Sequence, residues 1–576
     1  MRSNLRMIRT ANSHCANLDA FISKSIGYFR DVSSLRRYSG SVADGISSAD
    51  RGRQFYVSTP IFYVNAAPHI GHLHSMVIAD VLSRYNELKT GKKSFMVTGT
   101  DENGMKIQQT ASLEGLKPQK LCDSVSIRFR ELAKVANICH DDFIRTTENR
   151  HHLAAQHFWR EIFNLGHVYK GKYEGWYSVS DETYYSQSQV QKSIDLKSGV
   201  ERMVSVESGQ PVEWIEEDNY MFKLRAFQDR LLEWLNQDQN TLISSQRSNI
   251  LNQLQTKELN DLSISRPASR LSWGIPVPGD PTQTMYVWMD ALVNYLTVTG
   301  YPWKSGTSRS WPPDVHVIGK DITKFHSIYW PAMLMAAGLD LPRTVLAHGH
   351  WTMKREKMSK SRGNVADPFE AIKKWGVDGV RYYLMRAPGS LLSDTDWAPD
   401  RLDEHYRKDL SGQLGNLLGR ISAPKLWGRL PPGRKSGTAL FSPPETCRRN
   451  PEMLKLYDLL AHAPDRFALS MDALEVPKAL KEVFDVLSEA NRLIQEVAPW
   501  HSSSSPEDSH ECLYLCAESL RLSGILLQPF IPAKASELLG NLGIPIDRRT
   551  WNDLRLGSAL GCCVRSDANH LFPKKV

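Results

Sequence analysis

The stretch Thr59-Pro-Ile-Phe-Tyr-Val-Asn-Ala-Ala-Pro-His69-Ile-Gly-His72 decides how the chain is read. Phe55-Tyr-Val-Ser58 ahead of it reads as a buried strand. The residues behind it read as a helix, with Leu73, Val77, Leu82 and Tyr85 near one face and Gly91 placed as a C-cap. Pro60 and Pro68 keep the connection extended or turned, so the helix is predicted to begin at or just after Pro68. His69 and His72 then share its first turn, three residues apart and nearly on one face. A helix N-terminus offers unpaired N–H groups and a partial positive charge. Two imidazoles and a glycine that admits close backbone approach add a place to hold and polarise a polyphosphate. Alone, such a pair is better explained as two histidines in a capping turn. A metalloprotease motif would need a Glu between them, and none is present.

A second stretch changes the weight of the first. Glu356-Lys357-Met-Ser-Lys360-Ser-Arg362-Gly-Asn364 is a cationic, hydroxyl-rich loop suited to charge developing on phosphate oxygens. By itself a lysine-rich loop is an ordinary solvated surface. His-Ile-Gly-His after the first strand and Lys-Met-Ser-Lys-Ser after the last together resemble the paired signatures of class I aminoacyl-tRNA synthetases. The resemblance implies an α/β fold. It is a doubly wound, Rossmann-like parallel sheet with an inserted connective subdomain, followed by an all-α helical-bundle domain.

The resemblance narrows at the amino-acid pocket. Ile61, Tyr63, Asp101, Trp288, Ala291, Tyr295, Ile322 and His326 fall where methionyl-tRNA synthetases line theirs. A thioether packs well against aromatic edges, which Tyr63, Trp288 and Tyr295 could supply. Ser94 to Thr98 reads as the second strand, and Asp101 at its carboxyl end would hold the ammonium group; on position alone, an Asx-turn explains Asp101 as well. Two residues depart from the family pattern: Asn103 replaces a common His, and Leu292 stands where some members have Pro.

The family resemblance implies a methionine–tRNA ligase serving mitochondrial translation, with methionine, ATP and tRNA(Met) as partners and Mg2+ accompanying ATP. His69, Gly71, His72, Lys357 and Lys360 would contact ATP, and His69, His72, Lys357 and Lys360 would carry catalysis. Synthetases for Leu, Ile or Val share both signatures but usually carry a large editing insertion, for which this chain has no obvious room. An inactive, synthetase-like RNA-binding protein is the other rival, and the intact His and Lys residues argue against it.

At 576 residues the chain has room for three or four domains. It is 41% hydrophobic with no apolar run long enough to span a membrane. A net charge of +8 permits a polyanionic partner without demonstrating one. None of the eight cysteines forms CxxC, so they read as reduced thiols. Residues 1–48 are expected to form a segment of their own: up to Ser39, Arg2, Arg6, Arg9, Lys24, Arg30, Arg36 and Arg37 face only Asp19 and Asp31. That is the composition of a targeting presequence for the mitochondrial matrix, and Arg36-Arg-Tyr-Ser39 resembles a processing site; a basic arm that stays attached is the alternative.

The catalytic halves are expected at 49–167 and 285–385, with residues 105 to 165 helical. The insertion is expected at 168–284. In this family it often carries zinc-binding cysteine knuckles, but Ser178 and Ser180 stand where a CxxC would, and no Cys lies between 139 and 447. Hydroxyls do not replace thiolates on a structural zinc, so no structural zinc is expected and aromatic packing must hold the insertion. A linking segment follows at 386–401. The helical domain, 402–576, opens with the period Leu402, Tyr406, Leu410, Leu414, Leu417 and Ile421. It resembles the family's anticodon-binding domain. Asn416 and Arg420, one turn apart, and Trp500 are suited to reading and stacking bases splayed from an RNA loop. With no added oligomer-binding domain, a monomer is expected.

Overall fold

The chain divides into two units, Met1–Arg53 and Gln54–Val576. The structure, a computed structural model, describes residues 53–179, 183–185, 187–194, 201–206, 208–304, 308, 310–358, 363–428, 430–431, 433, 436–444, 451–566 and 571–573. The expected presequence lies outside the described residues, and so does Lys360.

Six parallel strands form the central sheet: β1 Tyr56–Tyr63, β2 Phe95–Asp101, β3 Asp142–Arg145, β4 Leu242–Ser244, β5 Val315–Gly319 and β6 Thr344–His348. Their order is β3-β2-β1-β5-β6-β4. The inner strands are sandwiched, with Val57, Met96, Val97, Val317, Leu346 and Ala347 buried, as a sheet covered on both faces requires. The chain runs outward from β1 to β3, adds β4 at the far edge, and then enters β5 on the other side of β1. A crevice therefore opens between the carboxyl ends of β1 and β5, the place where such sheets hold ligands. Helix α1, Ile70–Thr90, starts where the prolines predict and ends at Gly91, whose φ of 68° is the left-handed cap that a side chain would strain.

Two strands depart from expectation. β3 lies in the stretch read as helical, and at four residues it is too short to show a period. β4 lies within the expected insertion 168–284, flanked by helices Gln228–Gln237 and Arg247–Thr256, and pairs with β6 at the sheet edge. That stretch is therefore not one separate block: its middle belongs to the central sheet. The remainder is antiparallel, dominated by Val168–Ser178 against Glu213–Phe222. Trp176 meets Trp214 edge-on at 5.5 Å, and Tyr177 is buried under the guanidinium groups of Arg266 and Arg270. Among the described residues no group of three or more His, Cys, Asp or Glu could hold a metal ion.

Helices Pro399–His405, Tyr406–Gly415 (π-wound) and Asn416–Ile421 run end to end. Further helices follow at Pro451–Asp472, Val476–Val497, Pro506–Leu526 and Pro532–Asn541, the first three of them 21 or 22 residues long. The helical part is anchored on α1. Arg381, 1% exposed, donates to Asp80 of α1 at 2.5 Å and to the carbonyls of Pro529 and Phe530. Tyr85 of α1 donates to Asp472 at 2.8 Å and meets Trp551 edge-on.

Candidate active site

His69 is the N-cap of α1. Its Nδ1 accepts from Gly71 N–H (3.0 Å), while its own N–H donates to His72 Nδ1 (3.0 Å). This is a capping box built from two imidazoles. Because both Nδ1 atoms accept, both rings carry their proton on Nε2 and are donors on that side. The rings lie 3.8 Å apart, and Phe62 and Phe129 pack edge-on to His72. A Cβ on Gly71 would come within 2.8 Å of the His69 ring, so the glycine is fixed by that imidazole.

The lysine loop grows from a hairpin. Trp351–Met353 pairs with Glu356–Lys357 across the turn residues Lys354 and Arg355, both with positive φ as a tight hairpin turn demands. Thr395–Asp396, from the linking segment, adds a parallel third strand. Asp394 accepts from His350 N–H (2.9 Å) and from Lys320 Nζ (2.7 Å), tying the hairpin's base to the end of β5. Gly349 admits this clamp, since a Cβ there would sit 2.3 Å from the Ser393 carbonyl. Beyond the loop, the Ala366 carbonyl accepts from Ile70 N–H at 3.2 Å. The returning limb of the lysine loop is thus hydrogen-bonded to the first helical residue behind His69. Lys357 pairs its backbone with Thr352; its side chain and all of Lys360 lie outside the described residues.

The pocket candidates gather on both sides of the crevice. Register places Ile61 opposite Gly99 and Tyr63 opposite Asp101, at the carboxyl ends of β1 and β2. Helices Val287–Leu292 and Asn294–Thr297 carry Trp288, Ala291 and Tyr295. Trp288 stacks on Phe325 at 3.6 Å. The Tyr295 hydroxyl lies 2.8 Å from His326 Nε2, and His326 Nδ1 lies 3.0 Å from the Ile322 carbonyl. A carbonyl only accepts, so Nδ1 carries the proton and Tyr295 donates to Nε2. Burial pushes His326 down to about 4, so the ring is neutral at neutral pH. Burial raises the Tyr295 hydroxyl, and the Asp101 charge adds to the rise. Asn103 donates to Asp290 at 3.2 Å, linking the end of β2 to the Trp288 helix.

Some of the supporting residues carry no local signal. Glu102, fully buried, accepts from Arg145 (2.7 Å), Thr147 (2.5 Å) and Thr100 (2.7 Å), and its carbonyl accepts from Trp273 Nε1 (2.6 Å). Ser75 of α1 lies 2.8 Å from His348 Nε2, joining the histidine helix to the end of β6. His348 is also held down, to about 4, by burial. Apart from Thr100, these partners are far apart in sequence, so no spacing could announce them.

The chain's residues 55–422 match the family model described as tRNA synthetases class I (M), and residues 444–565 match that of the anticodon binding domain of methionyl tRNA ligase. The chain belongs to the methionyl-tRNA synthetase family. It is 45% identical over 506 residues to the probable mitochondrial methionine–tRNA ligase of Schizosaccharomyces pombe, covering 86% of this chain and 91% of the relative. It is 42% identical over 527 residues to the human mitochondrial methionine–tRNA ligase, covering 90% and 88%. The Mycobacterium tuberculosis methionyl-tRNA synthetase bound by methionyl-adenylate superposes with a TM-score of 0.82 at 34% identity, over 90% of this chain and 100% of that one.

In this family member two of the anticodon candidates, Asn416 and Arg420, sit near the start of the helical part, and the third, Trp500, follows the helix Val476–Val497. Asn416 is exposed on the helix Asn416–Ile421, and the Arg420 guanidinium lies 5.8 Å above the Trp500 ring. The structure brings Arg420 and Trp500 into contact, with Asn416 one turn away.

Proposed function

We propose that the protein activates methionine with ATP and transfers it to tRNA(Met) in the mitochondrial matrix, acting as a monomer. The observation that carries the reading is the Ile70–Ala366 hydrogen bond, which joins the limbs of both signature elements beside one crevice. In the first step the methionine carboxylate attacks the α-phosphate of ATP, forming the adenylate and releasing pyrophosphate. In the second, a terminal ribose hydroxyl of the tRNA attacks the activated carbonyl and AMP leaves.

No protein nucleophile takes part; positioning and charge stabilisation do the work. His69 and His72 donate from Nε2 to phosphate oxygens, with Gly71 allowing close approach. Lys357 and Lys360 neutralise the departing pyrophosphate. Mg2+ arrives with ATP, held mainly by phosphate oxygens. Asp101 takes the substrate ammonium, while Ile61, Tyr63, Trp288, Ala291, Tyr295, Ile322 and His326 enclose the thioether. Asn416, Arg420 and Trp500 meet the anticodon. Residues 1–48 act as the targeting presequence, and the insertion carries no zinc.

The test is methionine-dependent pyrophosphate exchange on the chain from residue 49, with leucine, isoleucine and valine in parallel. Lys360→Ala should lower the exchange rate by about 10²–10³, the usual cost of one transition-state contact. Activation of leucine but not methionine would refute the reading.

A further inference from the structure

Away from the crevice, the helix Val377–Arg386 ends beside the start of the helical part. Arg386, Arg401, Glu404, His405, Lys408 and Asp409 line a cavity of about 420 Å3 there. Its two carboxylates are engaged. Glu404 accepts from Lys408 at 2.6 Å; Asp409 accepts from the Tyr382 hydroxyl at 2.8 Å and lies 2.9 Å from His405 Nδ1. The two guanidinium groups are different. Among the described residues neither Arg386 nor Arg401 makes an ion pair, and Arg386 Nε is buried without a hydrogen-bond partner. Arg386 bonds the Tyr382 side chain and feels the Asp409 charge but keeps donors to spare, and Arg401 is exposed; a guanidinium fork fits a phosphate oxygen pair.

The cavity heads a longer feature. Glu404, Lys408, Gly412, Asn416 and Arg420 recur every four residues, the first four exposed and the last half-buried. Tyr406, Leu410, Leu414 and Leu418 recur at the same interval and are buried. The wider winding of Tyr406–Gly415 keeps a four-residue interval in line, so the exposed row runs parallel to the buried one. The row covers about 24 Å at ~1.5 Å per residue and ends where Arg420 lies over Trp500. Gly412 leaves its middle without a side chain, and a Cβ there would come within 2.9 Å of the Arg407 carbonyl.

We propose that Arg386, Arg401 and Lys408 seat a backbone phosphate of the tRNA, at the opposite end of this row from Asn416, Arg420 and Trp500. Base contacts at one end carry sequence, and a phosphate contact at the other sets register. The inference rests on the tRNA-charging reading above.

The test uses the full chain with Arg401→Gln and Lys408→Gln combined, both at solvent-accessible positions. Exchange, charging and direct binding of a tRNA(Met) transcript are measured on the same preparations. Exchange should be unchanged, while the tRNA KM and Kd rise about tenfold. The slope of log binding constant against log salt should become shallower by about 1–2, the loss of two phosphate-type contacts. The charge-preserving pair Arg401→Lys and Lys408→Arg should restore most of both. Unchanged Kd and slope would overturn the proposal, as would a parallel loss of exchange, which would assign these cations to the fold. A wild-type chain that binds tRNA with this salt dependence but activates no methionine would sink the functional reading and leave the phosphate seat standing.

Discussion

The proposed amino-acid pocket and the proposed anticodon row are built on opposite principles. In the pocket, buried polar groups are held by side chains or backbone of the chain itself: Tyr295 on His326, His326 on the Ile322 carbonyl, Glu102 on Arg145. In the row, Asn416 and Arg420 stand on a single helix, and Asn416 is exposed. A small ligand needs a cavity whose donors and acceptors are already oriented, because water must be excluded and no group left unmatched. A nucleic acid brings its own charge and stacked faces, so an exposed cation and a half-buried indole suffice.

Three measurements break or sharpen this contrast. The largest effect is expected in the row. Trp500→Ala removes a stacking surface worth about 1–3 kcal/mol per base, so the tRNA KM should rise roughly 10- to 100-fold with exchange intact. Equal losses in both would mean that Trp500 belongs to the core. Tyr295→Phe comes next. It leaves His326 Nε2 buried without its donor, a cost of about 1–3 kcal/mol. The methionine KM should rise roughly tenfold, and the tRNA KM should not move. A change in the tRNA constant instead would break the separation drawn here.

The smallest effect is on stability against pH. His326 and His348 sit near 4 in the folded chain against 6.5 unfolded, because burial disfavours their charge. Between those values the unfolded chain binds protons that the folded chain does not. Stability is fully present above about pH 6.5 and falls as the pH drops towards 4. Thermal unfolding at pH 5 should come on the order of 5 °C below that at pH 7.5, and an identical Tm at the two values would contradict the neutral, buried state of both rings.

The two regions also differ in how legible they were. Helix α1 could be placed from Pro68, the apolar period and Gly91, because caps and periodicity are local. The buried interval of the helical part was readable from Leu402 onward for the same reason. β3 and β4 were not: strands of four and three residues have no period, and β4 exists only because β6 offers it an edge. The Glu102 network and the Ser75–His348 link were invisible because their meaning lies in partners tens to hundreds of residues away.

Sequence by itself determined the family, the parallel-sheet class and the identity of the two cationic stretches, since each rests on residue types at short spacing. Only the tertiary structure decided that Ala366 meets Ile70, that both histidines accept through Nδ1, and that Arg386 and Arg401 face one cavity. Hydrogen bonds and charges act over a few ångströms of space, and separation along the chain does not report that distance.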